Sequence, residues 1–317
     1  MQAVFVDFAT VSAGDLDRAQ LDLVLPGMRY YDDTPAAELI GRVSDAEVIL
    51  ANKARLDADV LAAAPALRLV CLAATGTDNV DLAAAAKRGI AVCNIRSYCT
   101  ASVVQHVYAL ILALTQQLSA YGSALRAGAW SANARFCLLD FPIRELAGKT
   151  VGIVGYGELG RAVARAGTAF GMQPLVAARR GVAPGGDRVS FEQLLEAADV
   201  LSLHCPLTPE TRKLIGATEL ARMRPDALLI NTARGALVDT HALAAVLRAG
   251  KLGGAGIDVL EQEPPPADHP LLAADIPNLI VTPHIAWAAR EARQRALDEI
   301  ALNVTSFLSG GRRNRVV

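Results

Sequence analysis

The chain has 317 residues, of which 52% are hydrophobic and 20% are charged, and its mean hydropathy is +0.30. This apolar content excludes a disordered chain, and the length predicts about two domains, since a domain averages roughly 150 residues. The 31 basic and 32 acidic side chains leave a formal net charge of −1, which excludes the basic composition typical of proteins that bind nucleic acid.

The sequence predicts neither a targeting segment nor a membrane span. The amino terminus lacks a basic region followed by an apolar run, so no secretory signal is predicted. Residues 103–118 form the most apolar long stretch, but its glutamines and histidine make it too polar for a membrane span of about 18 apolar residues. We therefore expect a cytoplasmic protein with no membrane partner.

The cysteines are odd in number and form no Cys-x-x-Cys pair. They are Cys71, Cys93, Cys99, Cys137 and Cys205. This pattern predicts buried free thiols rather than a disulfide framework or a zinc site, and we expect no bound metal.

In the first hundred residues, short apolar runs alternate with helix-like segments, the pattern of βαβ units in a parallel sheet. The apolar runs predict strands at residues 4–8, 48–51, 67–73 and 90–93. The segments between them predict helices at residues 15–21, 35–43, 57–63 and 82–88. This region therefore predicts one small doubly wound unit.

A long apolar helix is predicted at residues 102–119, followed by a stretch of mixed polarity at 120–149, whose aromatic side chains suit a core or an oligomer contact. A second βαβ series begins at Thr150. Its strands are predicted at residues 151–154, 174–178, 200–204, 228–231, 254–258 and 279–282. A tail helix is predicted at 291–308. The fold class is thus α/β, with two Rossmann-like, doubly wound parallel-sheet domains and a cleft between them.

A glycine-rich turn follows the first strand of the second series. Its sequence is Gly155-Tyr156-Gly157-Glu158-Leu159-Gly160, and the next residues predict a helix. This spacing between a strand and a helix is the dinucleotide-binding fingerprint. Its glycines permit a tight turn, close approach of the backbone to a pyrophosphate and close helix packing. The alternative is a glycine turn with a purely structural role.

The next strand of this series carries the residues that select the cofactor. NAD-binding domains usually end that strand with an acid that accepts the ribose hydroxyls. Here the strand ends in Ala178, followed by Arg179 and Arg180. Guanidinium groups suit a 2′-phosphate, whereas a carboxylate would repel it. The sequence therefore favours NADP, and NAD remains possible. The alternative is that both arginines are solvated charges of a loop.

Three ionisable side chains follow consecutive strands of the second series: Arg234, Glu263 and His284. The carboxyl ends of parallel strands meet at one edge, where ligands bind, so these side chains can converge. Histidine has the ordinary pKa range of a general acid near neutrality, and arginine forks onto carboxylates. The other four histidines are interpreted as packing or local hydrogen-bonding residues: His106, His204, His241 and His269.

The glycine turn and the Arg, Glu, His set together resemble the D-isomer-specific 2-hydroxyacid dehydrogenases over essentially the whole chain. Segments 73–81, 100–106 and 136–142 are similar to the glycerate dehydrogenase, or hydroxypyruvate reductase, branch. That branch usually carries an acid where Ala178 stands, so this sequence departs from it. We expect an NAD(P)-dependent oxidoreductase that transfers a hydride between NADP(H), or NAD(H), and a small D-2-hydroxy or 2-oxo acid, such as hydroxypyruvate/D-glycerate or glyoxylate/glycolate.

In this interpretation His284 protonates the carbonyl oxygen during reduction and takes the hydroxyl proton during oxidation. The resemblance assigns Glu263 to the orientation of His284 and to stabilisation of its imidazolium. Arg234 binds the substrate carboxylate and polarises its carbonyl. The resemblance also implies backbone contacts to the substrate carboxylate from the turn at Thr75 and Gly76.

Further cofactor contacts are implied by the resemblance at Cys205, Pro206, Thr211, Thr232, Ala233, Asp258 and His284. Of these, Thr232, Asp258 and His284 are expected to lie against the nicotinamide. The resemblance assigns residues 1–100 plus 288–317 to a substrate-binding (catalytic) domain and residues 101–287 to a dinucleotide-binding domain. It also implies a homodimer, with a dimerisation segment at 120–149.

Two alternatives remain open at this point. Corepressors that sense dinucleotides resemble the same family and keep its fold, and other relatives act on phosphoglycerate, lactate or formate. The intact set of Arg234, Glu263 and His284 favours an enzyme.

Overall fold

The computed structural model describes residues 1–317 as two compact units. One unit comprises Met1–Cys99 and Trp287–Val317, and the other comprises Thr100–Ala286. Each predicted domain boundary lies one residue from the corresponding boundary of these units.

The first unit is a parallel sheet with helices on both faces. Its strands are β1 (Ala3–Phe5), β2 (Arg29–Tyr30), β3 (Val48–Ala51), β4 (Leu69–Leu72) and β5 (Ala91–Cys93), and the helices between them are α1 (Ala19–Val24), α2 (Ala36–Val43), α3 (Ala58–Ala62) and α4 (Leu82–Lys87). The strand order is β2-β1-β3-β4-β5. Strands β1, β3, β4 and β5 are buried along their whole length, because covered parallel strands need apolar residues on both faces.

The second unit is also built from parallel strands and helices. It begins with the helices α5 (Thr100–Thr115) and α6 (Leu118–Arg126) and continues with β6 (Thr150–Val154), α7 (Glu158–Ala169), β7 (Gln173–Ala177), β8 (Arg188–Val189), α8 (Phe191–Ala197), β9 (Val200–Leu203), α9 (Ala217–Arg222), β10 (Leu228–Asn231), α10 (Thr240–Arg248), β11 (Gly254–Ile257) and β12 (Leu279–Val281). The chain then returns to the first unit as α11 (Arg290–Leu308).

The sheet of the second unit has the strand order β12-β11-β10-β9-β6-β7-β8, and all its pairs are parallel. The order reverses between β6 and β9, which is the position where doubly wound sheets bind ligands at their carboxyl edge. The glycine-rich turn directly follows β6. The α/β class and the two Rossmann-like sheets predicted from the sequence are therefore confirmed.

The helix predicted at residues 102–119 is wrong as a single element. The chain forms two helices, α5 and α6, because Gln117 adopts a left-handed backbone conformation with φ of +54°. Its side-chain amide donates to the Leu114 carbonyl oxygen at 2.9 Å and stabilises this break between the two helices. The second helix consequently extends into the stretch for which no helix was predicted.

The helix predicted at residues 15–21 is also wrong at its start, because α1 begins only at Ala19. Asp17 accepts the Ala19 backbone N–H at 2.8 Å. Asp15 forms two hydrogen bonds with the Arg293 guanidinium, at 2.7 and 2.8 Å. These contacts hold the residues before Ala19 outside the helix.

The remaining expectations from composition concern the thiols and the bilayer. No disulfide joins the five cysteines, but only Cys71 and Cys93 are buried, so the prediction of buried thiols fails for the other three. None of the helices combines the length and the apolar composition that a bilayer crossing requires.

Candidate active site

Glycine is required where the turn after β6 meets the end of β9. Gly155 has φ of +93°, and a Cβ atom at this position would lie 2.5 Å from both the Cys205 nitrogen and the His204 carbonyl carbon. A Cβ atom at Gly160 would lie 2.1 Å from the Gly155 carbonyl oxygen. Both contacts involve backbone atoms, which cannot move aside as a flexible side chain can. The two outer glycines of the motif are therefore explained by packing within the protein.

The middle glycine faces open space. No heavy atom lies within 4 Å of a Cβ atom built at Gly157. Gly157 is also the N-cap residue of α7, and no side chain caps this helix end. The first N–H groups of a helix and its dipole attract anions. The turn thus offers space and hydrogen-bond donors for a pyrophosphate.

The other three residues of the motif are placed around this turn. Tyr156 is exposed, and its carbonyl oxygen accepts a hydrogen bond from Arg161 at 3.2 Å. Leu159 is partly buried, and Glu158 hydrogen-bonds with the Thr100 hydroxyl. This contact connects the start of α7 with the start of α5.

The two predicted phosphate-binding arginines have different surroundings at the end of β7. Arg180 forms an ion pair with Glu219 at 2.7 Å, and its guanidinium lies 5.8 Å from the centre of the Phe191 ring. Arg179 is exposed and forms no ion pair. Ala178 is buried and supplies no carboxylate. Only Arg179 therefore has a guanidinium without an acidic partner.

The loop after β9 is ordered by a hydroxyl group. Thr211 donates its hydroxyl hydrogen to the Pro206 carbonyl oxygen at 2.8 Å and accepts the Thr208 backbone N–H at 2.7 Å. Burial raises the pKa of the neighbouring Cys205 thiol, so this group is neutral near pH 7. Three predicted cofactor contacts, Cys205, Pro206 and Thr211, thus belong to one loop.

The turn after β10 is shaped by a buried amide that was not predicted as a functional residue. The Asn231 side chain accepts the Ala233 N–H at 3.1 Å and donates to the Arg234 carbonyl oxygen at 2.9 Å. The Arg234 guanidinium in turn donates to the Ala233 carbonyl oxygen at 2.8 Å. The signal in the sequence is an asparagine at the end of the apolar run of β10, because a buried polar side chain needs hydrogen-bond partners.

A second close approach connects the Arg234 turn with the loop that carries Glu263. A Cβ atom at Gly235 would lie 1.9 Å from the Leu260 carbonyl carbon, so these two turns touch through their backbones. The Leu260 N–H donates to Glu263 Oε1 at 2.9 Å. Arg234 and Glu263 are therefore held on adjoining loops.

His284 and Glu263 are in direct contact. His284 Nδ1 lies 2.6 Å from Glu263 Oε2, and the two side chains are 27% and 35% exposed. Because Nδ1 is engaged by the carboxylate, Nε2 is the ring nitrogen that can exchange a proton with a substrate. His284 itself has φ of +55°, a conformation that a non-glycine residue adopts only with support from its surroundings.

Asp258 supplies that support from beneath the His284 turn. Its side chain is fully buried, and its two oxygens accept the backbone N–H groups of Ile285 and Ala286, both at 2.9 Å. The Asp258 carbonyl oxygen accepts the His284 N–H at 2.8 Å. The expected nicotinamide contact of Asp258 thus involves a carboxylate with no exposed surface. The contacts that the structure shows for this carboxylate are those to the turn after His284.

In the first unit, the turn at Thr75 and Gly76 follows β4. The Thr75 hydroxyl donates to the Ile95 carbonyl oxygen at 2.9 Å, and the Thr75 carbonyl oxygen accepts from the Asn94 side chain at 2.8 Å. Both side-chain and carbonyl groups of Thr75 are thereby engaged. The backbone N–H groups of the turn are the ones that suit an external carboxylate.

The residues of the second unit fit a nicotinamide dinucleotide. The Thr232 hydroxyl, beside Ala233 and Arg234, is buried and has no hydrogen-bond partner within the protein. A buried polar group without a partner is costly, and a polar group of a ligand would satisfy it. The open space at Gly157 provides a second, independent match at the phosphate end.

Comparisons with known proteins agree with this geometry. The sequence profile of the "D-isomer specific 2-hydroxyacid dehydrogenase, NAD binding domain" matches residues 108–286. The glycerate dehydrogenase of Methylorubrum extorquens is 44% identical over 308 residues, covering 95% of this chain and 97% of that protein. The hydroxypyruvate reductase of Blautia hydrogenotrophica is 37% identical, with 98% of each chain covered.

A solved structure extends the likeness to the whole fold. A protein from Thermus thermophilus superposes with a TM-score of 0.88 at 37% identity, and the match covers 100% of both chains. The predicted family and its glycerate dehydrogenase branch are confirmed. The chain belongs to the D-isomer-specific 2-hydroxyacid dehydrogenase family of NAD(P)-dependent oxidoreductases.

Proposed function

We propose that this enzyme interconverts a small 2-oxo acid with its 2-hydroxy acid and uses NADP(H) in preference to NAD(H). The proposed substrate pairs are hydroxypyruvate with D-glycerate and glyoxylate with glycolate. The names of the similar glycerate dehydrogenase and hydroxypyruvate reductase support this substrate class. The observation that carries the proposed chemistry is the 2.6 Å contact between His284 Nδ1 and Glu263 Oε2.

His284 is the proposed general acid for reduction. A bound dinucleotide would supply the hydride for C2 of the 2-oxo acid, and the carbonyl oxygen would then need a proton. His284 gives its Nε2 proton to that oxygen and keeps its Nδ1 proton on the hydrogen bond to Glu263. In oxidation, the neutral ring takes the hydroxyl proton at Nε2. The Glu263 carboxylate stabilises the imidazolium and fixes the plane of the ring.

Arg234 is the proposed binding residue for the substrate. Its guanidinium forks onto the substrate carboxylate and carbonyl oxygen and polarises the bond to be reduced. The backbone N–H groups at Thr75 and Gly76 are proposed as further donors to the carboxylate. Residues 101–287 are proposed as the dinucleotide-binding domain and residues 1–100 with 288–317 as the substrate-binding domain.

The direct test is the initial rate of NADPH and, separately, NADH oxidation with hydroxypyruvate and with glyoxylate. We expect turnover with both acids and a higher kcat/KM with NADPH. Turnover with NADH alone would support the proposed reaction but overturn the proposed preference for NADP(H). No turnover with any of the four pairs would overturn the proposed substrate class.

A pair of arginine variants tests the cofactor preference. Arg179→Ala should lower kcat/KM for NADPH by about 10- to 100-fold and change that for NADH little, because charge-assisted hydrogen bonds to a phosphate contribute about 1.5–3 kcal/mol. Arg180→Ala is the matched control, since Arg180 is already paired with Glu219. Equal losses with NADPH and NADH in Arg179→Ala would contradict a 2′-phosphate contact.

The role of His284 is tested by His284→Ala. The variant should lose about 10²- to 10⁴-fold in kcat, the usual contribution of general acid–base catalysis, while NADPH binding is retained. Quenching of tryptophan fluorescence by NADPH measures binding separately from turnover. Unchanged turnover would remove His284 from the mechanism.

A homodimer is proposed through segment 120–149 and the helix that precedes it, a region with exposed apolar side chains. Its exposed side chains are Leu118, Leu125, Trp130, Phe136, Leu139 and Ile143. Phe136 and Leu139 are 89% and 79% exposed, and such a cluster of apolar side chains marks an interaction surface. Sedimentation should give about twice 33.3 kDa, and Phe136→Asp with Leu139→Asp should shift the protein towards monomer. A wild-type monomer at micromolar concentration would exclude the dimer.

A further inference from the structure

His106 lies on α5, near the turn that carries His284, and the proposed mechanism does not use it. Its ring is 17% exposed. His106 Nε2 lies 3.0 Å from the Thr282 hydroxyl oxygen and 3.4 Å from Asp258 Oδ1. The Thr282 hydroxyl in turn lies 2.5 Å from the same Asp258 oxygen. Three polar side chains, from α5 and from the ends of β11 and β12, thus form one chain of hydrogen bonds.

The direction of these hydrogen bonds follows from the number of hydrogens. A carboxylate can only accept, so the single hydroxyl hydrogen of Thr282 is donated to Asp258. The Thr282 oxygen must then accept from His106. His106 Nε2 therefore carries a hydrogen in both the neutral and the charged form of the ring. His106 acts as the donor at the start of the chain.

The other end of the chain is the His284 turn. The Asp258 carboxylate accepts the N–H groups of Ile285 and Ala286, the two residues after His284. Ser102, one helical turn before His106 on α5, donates to the Ala286 carbonyl oxygen at 2.7 Å. Residues four apart share one face of a helix. The same face of α5 thus holds this turn at two points.

The His284 turn needs this support because of its backbone conformation. A non-glycine residue with φ near +55° lies in a sparsely populated region, and surrounding contacts must hold it there. If the Asp258 carboxylate turned away, the N–H groups of Ile285 and Ala286 would lose their acceptors. The His284 ring would then no longer be fixed against Glu263.

We propose that His106 is a positioning residue for the reaction: its Nε2–H orients Thr282 towards Asp258 and so keeps the Asp258 carboxylate clamped on the turn that presents His284. This inference rests on the proposed role of His284. The proposed effect passes through the turn that carries His284, because all the partners in this chain of hydrogen bonds are protein groups. The expected consequence of breaking it is a slower proton transfer with unchanged binding.

Two substitutions distinguish the effect of the His106 N–H donor from the effect of the volume that its ring occupies. His106→Leu removes the donor, and we expect kcat to fall about 10-fold or more with KM for the 2-oxo acid and Kd for NADPH unchanged. His106→Gln keeps an N–H donor and should restore kcat to within about 3-fold of the wild type. The thermal midpoint of each variant shows that the protein is folded. Equal kcat values in His106→Leu and the wild type would overturn the proposal.

A double-mutant cycle tests whether His106 acts through Thr282. Thr282→Val removes the intermediate hydroxyl, so adding His106→Leu to this variant should cause little further loss of kcat. Residues that act through one network show such non-additive effects. Fully additive losses would mean that His106 acts elsewhere.

Amide hydrogen exchange reports on the clamp without any turnover. In His106→Leu the amides of Ile285 and Ala286 should exchange about 10-fold faster, since their opening is no longer opposed by an oriented carboxylate. The Ala233 amide, which is held by Asn231 instead, is the internal control. Unchanged exchange at Ile285 and Ala286 would overturn the proposal. Absence of 2-oxo acid reduction by the wild type would overturn the proposed function instead, and the exchange pattern would still decide on the clamp.

Discussion

In the first unit the strand order reverses between β1 and β3, and a side chain of the protein occupies the space at the carboxyl ends of these two strands. Asp7, just beyond β1, is 3% exposed. Its carboxylate accepts the backbone N–H groups of Asn52, Lys53 and Ala54 at 2.9, 2.6 and 2.7 Å. The loop after β3 therefore receives its anion from within the protein.

In the second unit the order reverses between β6 and β9, and no carboxylate fills the corresponding point. The N-cap of α7 is Gly157, with open space where a side chain would lie. The titratable group at the end of β9 is His204, and burial lowers its pKa to about 4, so the ring is neutral near pH 7. No side chain of the protein therefore caps the N–H groups at the start of α7.

The difference shows that topology and ligand binding are separate properties of these sheets. Reversal of the strand order splays the loops at the carboxyl edge and directs N–H groups into the gap in both units. In the first unit an aspartate satisfies those groups, which stabilises the fold and closes the gap to anions. In the second unit Gly157 leaves open space at the N-terminus of α7. A few side chains next to the strands decide which outcome occurs.

The largest expected effect is that of Gly155→Ala. The added Cβ atom would meet backbone atoms of His204 and Cys205 at 2.5 Å, and φ of +93° disfavours alanine. We expect unfolding to become easier by about 4 kcal/mol and dinucleotide binding to be lost. Urea denaturation and NADPH titration measure the two effects. Gly157→Ala is the matched control: it should leave stability nearly unchanged but weaken NADPH binding, and a large loss of stability there would contradict the assignment of its open space to the phosphates.

The next effect concerns the filled edge of the first unit. Asp7→Asn should lower the free energy of unfolding by about 3 kcal/mol, because a neutral amide replaces a charged acceptor and turns an N–H group towards the backbone donors. The measurement is urea denaturation at pH 7. Asp59→Asn is a suitable control, since Asp59 is an exposed acid in α3 of the same unit. Equal stabilities of Asp7→Asn and the wild type would contradict the role of Asp7 as an internal anion.

The smallest effect is a dependence of stability on pH at the open edge. His204 has a pKa of about 4 in the folded protein and about 6.5 when unfolded. Between these pH values the unfolded chain binds more protons than the folded protein. The contribution of His204 to the free energy of unfolding is therefore fully present above about pH 7 and decreases as the pH falls towards 4. The wild type should lose about 2 kcal/mol from this group between pH 7 and pH 5. His204→Asn should flatten the profile in this range, and an unchanged slope would assign the loss to other groups.

Much of the fold could be predicted because its signals are local. The apolar runs of β3 and β10 match the predicted strands residue for residue. The two-residue strands β2 and β8 were missed, since two residues carry no periodicity and pair only because a neighbouring strand is present. The helix break at Gln117 was also missed, because it lies at the end of an apolar run. The hydrogen bond from its side chain to the Leu114 carbonyl oxygen forms only in the folded turn.

The candidate site divides in a similar way. The glycine spacing after β6 predicted the dinucleotide turn, and Arg234, Glu263 and His284 were predicted as site residues at strand ends. These predictions needed only the residue types and their positions after the apolar runs. The pairing of Arg180 with Glu219 and the support of the His284 turn by Asp258 and His106 required the structure.

The sequence by itself therefore determined the two parallel sheets, the family and the residue types that can carry the reaction. Only the tertiary structure decided which of those groups are already paired, which remain open and which edge the protein fills with its own carboxylate. The physical reason is that hydrogen bonds and ion pairs act over about 3 Å in space, whereas their partners here are separated by 39 residues for Arg180 and Glu219 and by 176 residues for His106 and Thr282. No local pattern of the chain records such contacts.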